Sequence, residues 1–119
     1  MGAHNELGRE GEEWAANYLE DRGYHIRCRN YRYLKAEIDI IAQKGNVIAI
    51  VEVKSRSSAY FKNIAETVSR KKITLLVTAS DNYIKAHNLD AEVRFDIITV
   101  LKKNNEFVID HMENAFYHF

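Results

Sequence analysis

Two runs rich in β-branched residues decide the fold of this chain, namely Ala36-Glu37-Ile38-Asp39-Ile40-Ile41-Ala42 and Val47-Ile48-Ala49-Ile50-Val51-Glu52-Val53-Lys54. The pair Gly45-Asn46 between them is a two-residue hairpin signal. With this pair at the turn, Lys44 pairs with Val47, and counting back along both strands sets Asp39 opposite Glu52. The sequence therefore predicts a β-hairpin that carries two facing carboxylates.

One face of this hairpin is predicted to be apolar along its whole length. That face would carry Ala36, Ile38, Ile40, Ala42, Val47, Ala49, Val51 and Val53. The other face is apolar near the turn and places Glu37, Asp39, Glu52 and Lys54 at its far end. Because directly opposite carboxylates repel, we expect a shared proton, a basic neighbour or a divalent cation to compensate for them.

Asp39, Glu52 and Lys54 together predict a metal site for phosphodiester hydrolysis. Mg²⁺ or Mn²⁺ would bind to the two carboxylates and to the backbone carbonyl of Val53, keeping waters for a substrate phosphate. Lys54 would orient the attacking water or stabilise the developing charge. The simpler interpretation is a solvated Asp39 and an exposed Glu52–Lys54 ion pair. The metal site is favoured over this simpler interpretation, because the two acids come from neighbouring strands and lie on the same face.

Hydrophobic periodicity predicts the other elements of the chain. The predicted helices span 6–22 and 69–87, and the predicted strands span 24–33, 36–43, 47–54, 93–101 and 106–110. Asn5 is predicted to cap the first helix, and Gly23 to end it in the left-handed conformation. The order is helix, three strands, helix, two strands. It predicts an α/β (α+β) fold around one mixed sheet, with residues 1–119 forming a single domain.

Composition excludes several classes of protein. The 119 residues contain 17 basic and 17 acidic side chains, so the net charge is zero and a strongly basic DNA-coating protein is excluded. The single cysteine, Cys28, excludes a disulfide framework and a Cys-rich zinc site, and it predicts a reducing, cytoplasmic location. The apolar runs are too short to span a membrane. The histidines lack metal-ligand spacing, and no serine or cysteine hydrolase motif is present.

Two stretches hold most of the basic residues. Residues 22–35 contain five Lys or Arg and no acid, with tyrosines between them, and residues 54–72 contain six against one acid. The predicted nucleic-acid contacts are Arg29, Arg32, Arg56, Arg70, Lys71 and Lys72. Such stretches are typical of phosphate contact combined with base stacking. A solvated charged surface is the alternative.

Six motifs lie along nearly the full length of the chain: Gly8-Arg9-Glu10-Gly11-Glu12, Asn30-Tyr31-Arg32, Glu37-Ile38-Asp39-Ile40-Ile41-Ala42, Val51-Glu52-Val53-Lys54-Ser55-Arg56, Arg94-Phe95-Asp96 and His111-Met112-Glu113-Asn114-Ala115-Phe116. In these motifs the chain resembles the YraN-like family of bacterial endonuclease-like proteins, within the PD-(D/E)xK nuclease superfamily. The chain departs from the family pattern at Ala36, where Gly is usual, and at Lys62-Asn63-Ile64, where Gly and Pro are usual. These departures affect loops rather than acids.

The resemblance implies a restriction-endonuclease-like core and Mg²⁺- or Mn²⁺-dependent hydrolysis of branched or structured DNA, since the family is similar to archaeal Holliday-junction resolvases. It also implies that Glu12 is a catalytic residue and a metal ligand, whereas the sequence alone favours a surface glutamate equally. We expect Asp96 to make a structural hydrogen bond. Two alternatives stay open: a nucleic-acid-binding module without turnover, and a protein-interaction subunit of a repair or uptake complex. A homodimer and partners among repair or recombination proteins also stay open.

Overall fold

The computed structural model describes residues 3–57 and 68–116, with side chains from Glu6 onward. Its elements, in chain order, are α1 (Ala3–Asp21), β1 (His25–Tyr33), β2 (Ala36–Lys44), β3 (Val47–Arg56), α2 (Arg70–Ala86), β4 (Glu92–Lys103) and β5 (Glu106–Met112). This order, around one mixed sheet, confirms the predicted fold class. The departure Lys62-Asn63-Ile64 lies outside the described residues. Neither described helix is long and apolar enough to cross a membrane.

The strands form a five-stranded sheet in the order β1-β2-β3-β4-β5. Neighbouring strands are antiparallel except β3 and β4, which are parallel. A parallel pair requires a crossover connection, and α2 lies in the segment that connects β3 to β4. The β3–β4 ladder runs from Val47–Glu92 to Arg56–Leu101, so the strand that carries Glu52 and Lys54 is held along its full length.

Each face of the sheet packs against one helix. On the α1 side, the core contains Ala15, Ala16 and Leu19 of the helix with Ile40, Ala42, Ala49, Val51, Ile98 and Val100 of the sheet. On the α2 side, it contains Leu76, Ala79 and Tyr83 with Ile38, Ile41, Ile48, Ile50 and Phe95. β2 and β3 are therefore buried on both faces, which explains their near-continuous apolar runs.

The ends of α1 show one confirmed and one wrong prediction. Gly23 follows the helix with φ +92°, and the N–H groups of Gly23 and Tyr24 close a Schellman cap on the last turn. The helix begins at Ala3, so Asn5, the predicted cap, lies inside it. Ala3 is a strong helix former and Glu6 lies in the first turn, and both favour the earlier start.

The alternation of side chains in β2 reverses at Asp39, between the regular pairs Arg29–Ile40 and Tyr31–Ile38. Asn30, which lies between these pairs in β1, is left-handed, with φ +54°. Ile38 packs on the α2 side and Ile40 on the α1 side, although strand residues two apart ordinarily share a face. The prediction of one apolar face along the whole hairpin is therefore wrong, because the alternation changes at Asp39.

A buried polar network joins β4 to β5 and to the segment before β1. Asp96 has no exposed surface, and its carboxylate accepts hydrogen bonds from Arg94, His111 and the N–H of Asn114. Arg94 also donates to the hydroxyl of Tyr24. Burial acts to raise the pKa of Asp96, but the hydrogen bonds from His111, Arg94 and Asn114 outweigh it and hold the pKa below 3.8. Asp96 thus makes the structural hydrogen bonds expected of it.

Candidate active site

β2 and β3 pair near their turn and then separate into a fork. The five described pairs have the predicted register, beginning with Lys44 opposite Val47. The ladder ends before Asp39, and there the N–H of Val53 donates to Asp39 Oδ2 at 2.8 Å. A side chain thus takes the place of the next strand partner. The expected ladder pair between Asp39 and Glu52 does not form, because the strands have already parted.

The fork opens into a cleft of about 580 Å³ that borders α1. The cleft is lined by Leu7, Gly8, Arg9, Glu12, Asn30, Arg32, Asp39, Glu52, Val53, Lys54, Ser55 and Arg56. All four predicted catalytic residues, Glu12, Asp39, Glu52 and Lys54, are among them. Four lining side chains are basic and three are acidic, so the cleft combines acids for a cation with bases for phosphate.

Gly11 allows α1 to lie against the end of β3. A Cβ at Gly11 would lie 1.9 Å from Ser55 Oγ and 3.1 Å from Ser55 Cβ. A Cβ at Gly8, one turn earlier, would have no atom within 4 Å. Close approach therefore explains the glycine at Gly11, while Gly8 lines the open cleft.

Asp39 is half-buried beside a second carboxylate. Burial is the main cause that raises its pKa, and the negative charge of Glu52, with a smaller effect from Glu12, raises it further. The hydrogen bond from Val53 and the ammonium of Lys72 lower it, yet the pKa of Asp39 still rises from 3.8 to about 7. The described protein groups therefore leave the carboxylate of Asp39 under-compensated.

Glu52 is 5% exposed. Its Oε2 lies 3.3 Å from Lys54 Nζ and 3.5 Å from Lys72 Nζ. Its Oε1 is buried and has no hydrogen-bond partner among the described residues, and the same is true of the hydroxyl of Thr99, which lies opposite Lys54 in the β3–β4 ladder. Unpartnered polar atoms are uncommon in protein interiors, and these two lie beside one carboxylate–lysine pair.

Glu12 reaches the cleft from α1, and its Oε1 accepts a hydrogen bond from Asn30 Nδ2 at 3.3 Å. Burial is the main cause that raises its pKa above 4.5; Arg29 opposes this, and the negative charges of Glu37 and Glu52 add to it. In the parts of the chain that the structure describes, no three His, Cys, Asp or Glu side chains are arranged to hold a metal ion. The three predicted carboxylates share the cleft without forming a closed cage.

Comparison with known proteins identifies the family. The profile described as "Uncharacterised protein family UPF0102" matches residues 11–100 of the chain. The chain belongs to the UPF0102 family. A UPF0102 protein of Flavobacterium psychrophilum is 50% identical over 119 residues, which is 100% of both chains. A UPF0102 protein of Bacteroides thetaiotaomicron is 50% identical over 117 residues, 98% of this chain and 97% of the relative.

The relatives extend the match across the whole chain, since a UPF0102 protein of Christiangramia forsetii is 47% identical over 100% of both chains. These findings confirm the resemblance to the YraN-like family. The names of the relatives state the family and no activity. The range matched by the family model includes Glu12, Asp39, Glu52 and Lys54, so all four predicted catalytic residues lie in the part of the chain that matches the UPF0102 family.

Two of the predicted nucleic-acid contacts of this UPF0102 protein line the cleft. They are Arg32, which lies 3.3 Å from Glu37, and Arg56, which donates to the backbone carbonyl of Ser55. Arg32 has 78% of its side chain exposed, so its guanidinium remains available to a phosphate.

The other four predicted contacts lie outside the lining of the cleft. Lys72 contacts Glu52, and Arg29 forms a 2.6 Å ion pair with an acid of α1. Arg70 and Lys71 are exposed at the start of α2. The structure thus divides the predicted basic surface into cleft residues, residues paired with acids and residues of the α2 terminus.

The residues at or beside the cleft that were not predicted as site residues from the sequence include Arg9, Asn30 and Thr99. Arg9 precedes Glu12 by three positions, and this spacing on one helix face was the signal that could have identified it. Asn30 interrupts a strand pattern, which is typical of a left-handed position. Thr99 gave no signal, because threonine is common in strands and only the fold reveals its unpartnered hydroxyl.

Proposed function

We propose that this UPF0102 protein is a Mg²⁺- or Mn²⁺-dependent endonuclease that hydrolyses phosphodiester bonds, with branched or structured DNA as its substrate. The observation that supports this proposal is the under-compensated carboxylate of Asp39 beside Glu52, in a cleft that also contains Lys54 and other basic residues. Carboxylates repel phosphate, so a protein that only binds nucleic acid has no use for them there.

The donor set fits a hard divalent cation. Asp39 and Glu52 would supply carboxylate oxygens, and Val53 would supply its backbone carbonyl. Glu52 Oε1 is buried and has no partner in residues 3–57 and 68–116. Mg²⁺ typically takes one or two carboxylates and keeps several waters, so a cage of three acids is not required. Glu12, in the same cleft, is the further proposed ligand. A bound cation would polarise the substrate phosphate and lower the pKa of a water.

Lys54 is proposed to stabilise the charge that develops during hydrolysis. In this reaction a bond forms between the water oxygen and phosphorus, and one ester P–O bond breaks, which increases the negative charge on the phosphoryl oxygens. Lys54 Nζ lies beside Glu52 Oε2 with 20% of its side chain exposed, so the carboxylate orients the ammonium at the edge of the cleft. Lys72 places a second ammonium on the same oxygen.

The experiment is a cleavage assay on branched, linear duplex and single-stranded DNA with Mg²⁺ or Mn²⁺. We expect the wild type to cut branched DNA, and Asp39→Ala to lose both cleavage and calorimetric Mn²⁺ binding. Lys54→Ala should keep Mn²⁺ binding and lose activity by about a hundredfold or more. Asp110→Ala is the control, since Asp110 is exposed on β5 and does not line the cleft. A wild type that binds DNA and cuts none of the substrates would contradict the proposal.

A further inference from the structure

The turn between β1 and β2 carries the most exposed large apolar side chain among the described residues. Leu34 is 83% exposed, compared with 54% for Val108 and 44% for Trp14. Trp14 stacks on Phe107 with ring centroids 4.9 Å apart, whereas Leu34 belongs to neither core cluster. Leu34 therefore contributes no core packing to the described part of the protein.

The backbone at this position is also unsuited to leucine. Leu34 has φ +55°, in the left-handed region that disfavours side chains other than those of Gly, Asn and Asp. The other non-glycine left-handed positions in the described ranges are all asparagine: Asn30, Asn88, Asn104, Asn105 and Asn114. Since neither packing nor turn conformation selects leucine here, the outlier indicates a function outside the fold.

The hairpin tip adjoins the cleft and is basic. Arg32, two residues before Leu34, lines the cleft and pairs with Glu37 across the two strands. Lys35, the next residue after Leu34, is exposed. A nucleic acid held by Arg32 and Lys35 would therefore lie beside Leu34.

The distance from the tip to the candidate site corresponds to a few nucleotides. Asp39 lies three strand residues from Ala36, and the turn formed by Leu34 and Lys35 extends beyond Ala36 by about the length of one further residue. Leu34 therefore lies roughly 10 to 13 Å from Asp39 along the strand direction. One strand of DNA rises about 3.4 Å per nucleotide, so this distance spans about three or four nucleotides.

We propose that Leu34 is a wedge that inserts between bases at the branch point of a DNA substrate and holds the branch about three or four nucleotides from the phosphate at Asp39. This inference rests on the proposed nuclease function and specifies how its substrate is selected. Insertion of an apolar side chain requires a base step to unstack. Bases at a branch already lack a continuous stack, so Leu34 favours branched DNA over linear duplex.

The experiment compares Leu34→Asn and Leu34→Gly with Leu34→Met and with Val108→Asn, an exposed apolar residue on β5 that does not line the cleft. Asn and Gly both tolerate the left-handed backbone at this position, so the melting temperatures of Leu34→Asn and Leu34→Gly should be no lower than that of the wild type. We expect them to lose about tenfold of the preference for branched over linear DNA, whereas Leu34→Met and Val108→Asn keep it. The main cut by the wild type should lie about three or four nucleotides from the branch.

A second measurement is independent of cleavage. With EDTA present, the wild type should raise the fluorescence of 2-aminopurine placed at the branch, because the base unstacks, and Leu34→Asn should not. Equal fluorescence and equal selectivity in the wild type and Leu34→Asn would overturn the wedge while leaving the nuclease proposal intact. A wild type that cuts no DNA but raises the fluorescence through Leu34 would instead overturn the nuclease proposal alone.

Discussion

At the scale of single residues, the protein compensates its two central carboxylates unequally. Glu52 has two lysine ammonium groups within 3.5 Å of one oxygen. Asp39 has a hydrogen bond from the Val53 N–H, and its strongest charged neighbour is Glu52 itself. The imbalance therefore falls on Asp39, whose pKa rises to about 7.

This imbalance predicts a pH-dependent gain in stability for Asp39→Asn. Asp39 ionises near pH 3.8 in the unfolded chain and near 7 in the folded protein, so the free energy of unfolding falls as pH rises through this window. The amide introduced by Asp39→Asn does not ionise, so the variant avoids the loss of stability that ionisation of Asp39 causes, and its oxygen can still accept the hydrogen bond from the Val53 N–H. We expect the metal-free variant to gain about 1 to 3 kcal/mol at about pH 8. No gain is expected below pH 3.8, where the carboxyl is protonated in both states.

Chemical denaturation at both pH values, with EDTA present, measures this difference. Asp110→Asn is the matched control, because it makes the same change at an exposed strand position. A loss of stability in Asp39→Asn at the higher pH would mean that the protein itself compensates the carboxylate, and the metal site would lose its main support.

At the scale of secondary-structure elements, the close approach of α1 to β3 depends on the absence of a side chain at Gly11. We expect Gly11→Ala to lower the free energy of unfolding by about 1 to 3 kcal/mol, because its Cβ would lie 1.9 Å from Ser55 Oγ. Gly8→Ala, in the same helix and with open space at its Cβ, should raise it by about 0.5 to 1 kcal/mol through helix propensity.

A double variant separates the steric contact of residue 11 with Ser55 from the effect of alanine on helix propensity. Ser55→Ala removes the nearest atom, and in the Gly11→Ala background it should recover much of the stability, as measured by denaturant titration. If Gly11→Ala and Gly8→Ala instead have equal effects, α1 does not press on β3 at Ser55, and the side of the cleft that α1 forms would be looser than described.

The elements could be predicted because each carries its own local pattern. The hairpin register follows from the Gly45-Asn46 turn and was confirmed. The fork could not be predicted, because it depends on a bond between the Asp39 side chain and the Val53 backbone, which leaves no trace in periodicity. The contact of Lys72 with Glu52 likewise arises from the α2 crossover, which brings together residues far apart in the chain.

At the scale of the whole molecule, the cleft lies at one end of the fold. The residues that α1 contributes come from its first turns, and Lys72 in the first turn of α2 contacts Glu52, so the positive ends of both helix dipoles lie toward the site. At the other end, Gly23 after α1 lies near the side chain of Lys44 beside the β2–β3 turn, and Arg27 donates to both Tyr83 in the last turn of α2 and Gln43 of β2. Because the net charge is zero, attraction of a polyanion depends on this uneven distribution.

The distribution predicts that the salt dependence of DNA binding depends on where a charge is removed. Replacing Arg9, Arg32 and Arg56 by Ala removes three cleft charges. The slope of log K against log salt is negative, and its magnitude should decrease by about 0.9 for each duplex phosphate that the variant no longer neutralises. Replacing Arg22, Lys44 and Lys85 by Ala removes the same charge outside the cleft and should leave the slope unchanged. Fluorescence anisotropy with EDTA, over a range of salt concentrations, measures both slopes, and melting temperatures verify that both variants fold. If both triple variants reduce the magnitude of the slope equally, DNA contacts the whole surface, and the cleft does not direct binding.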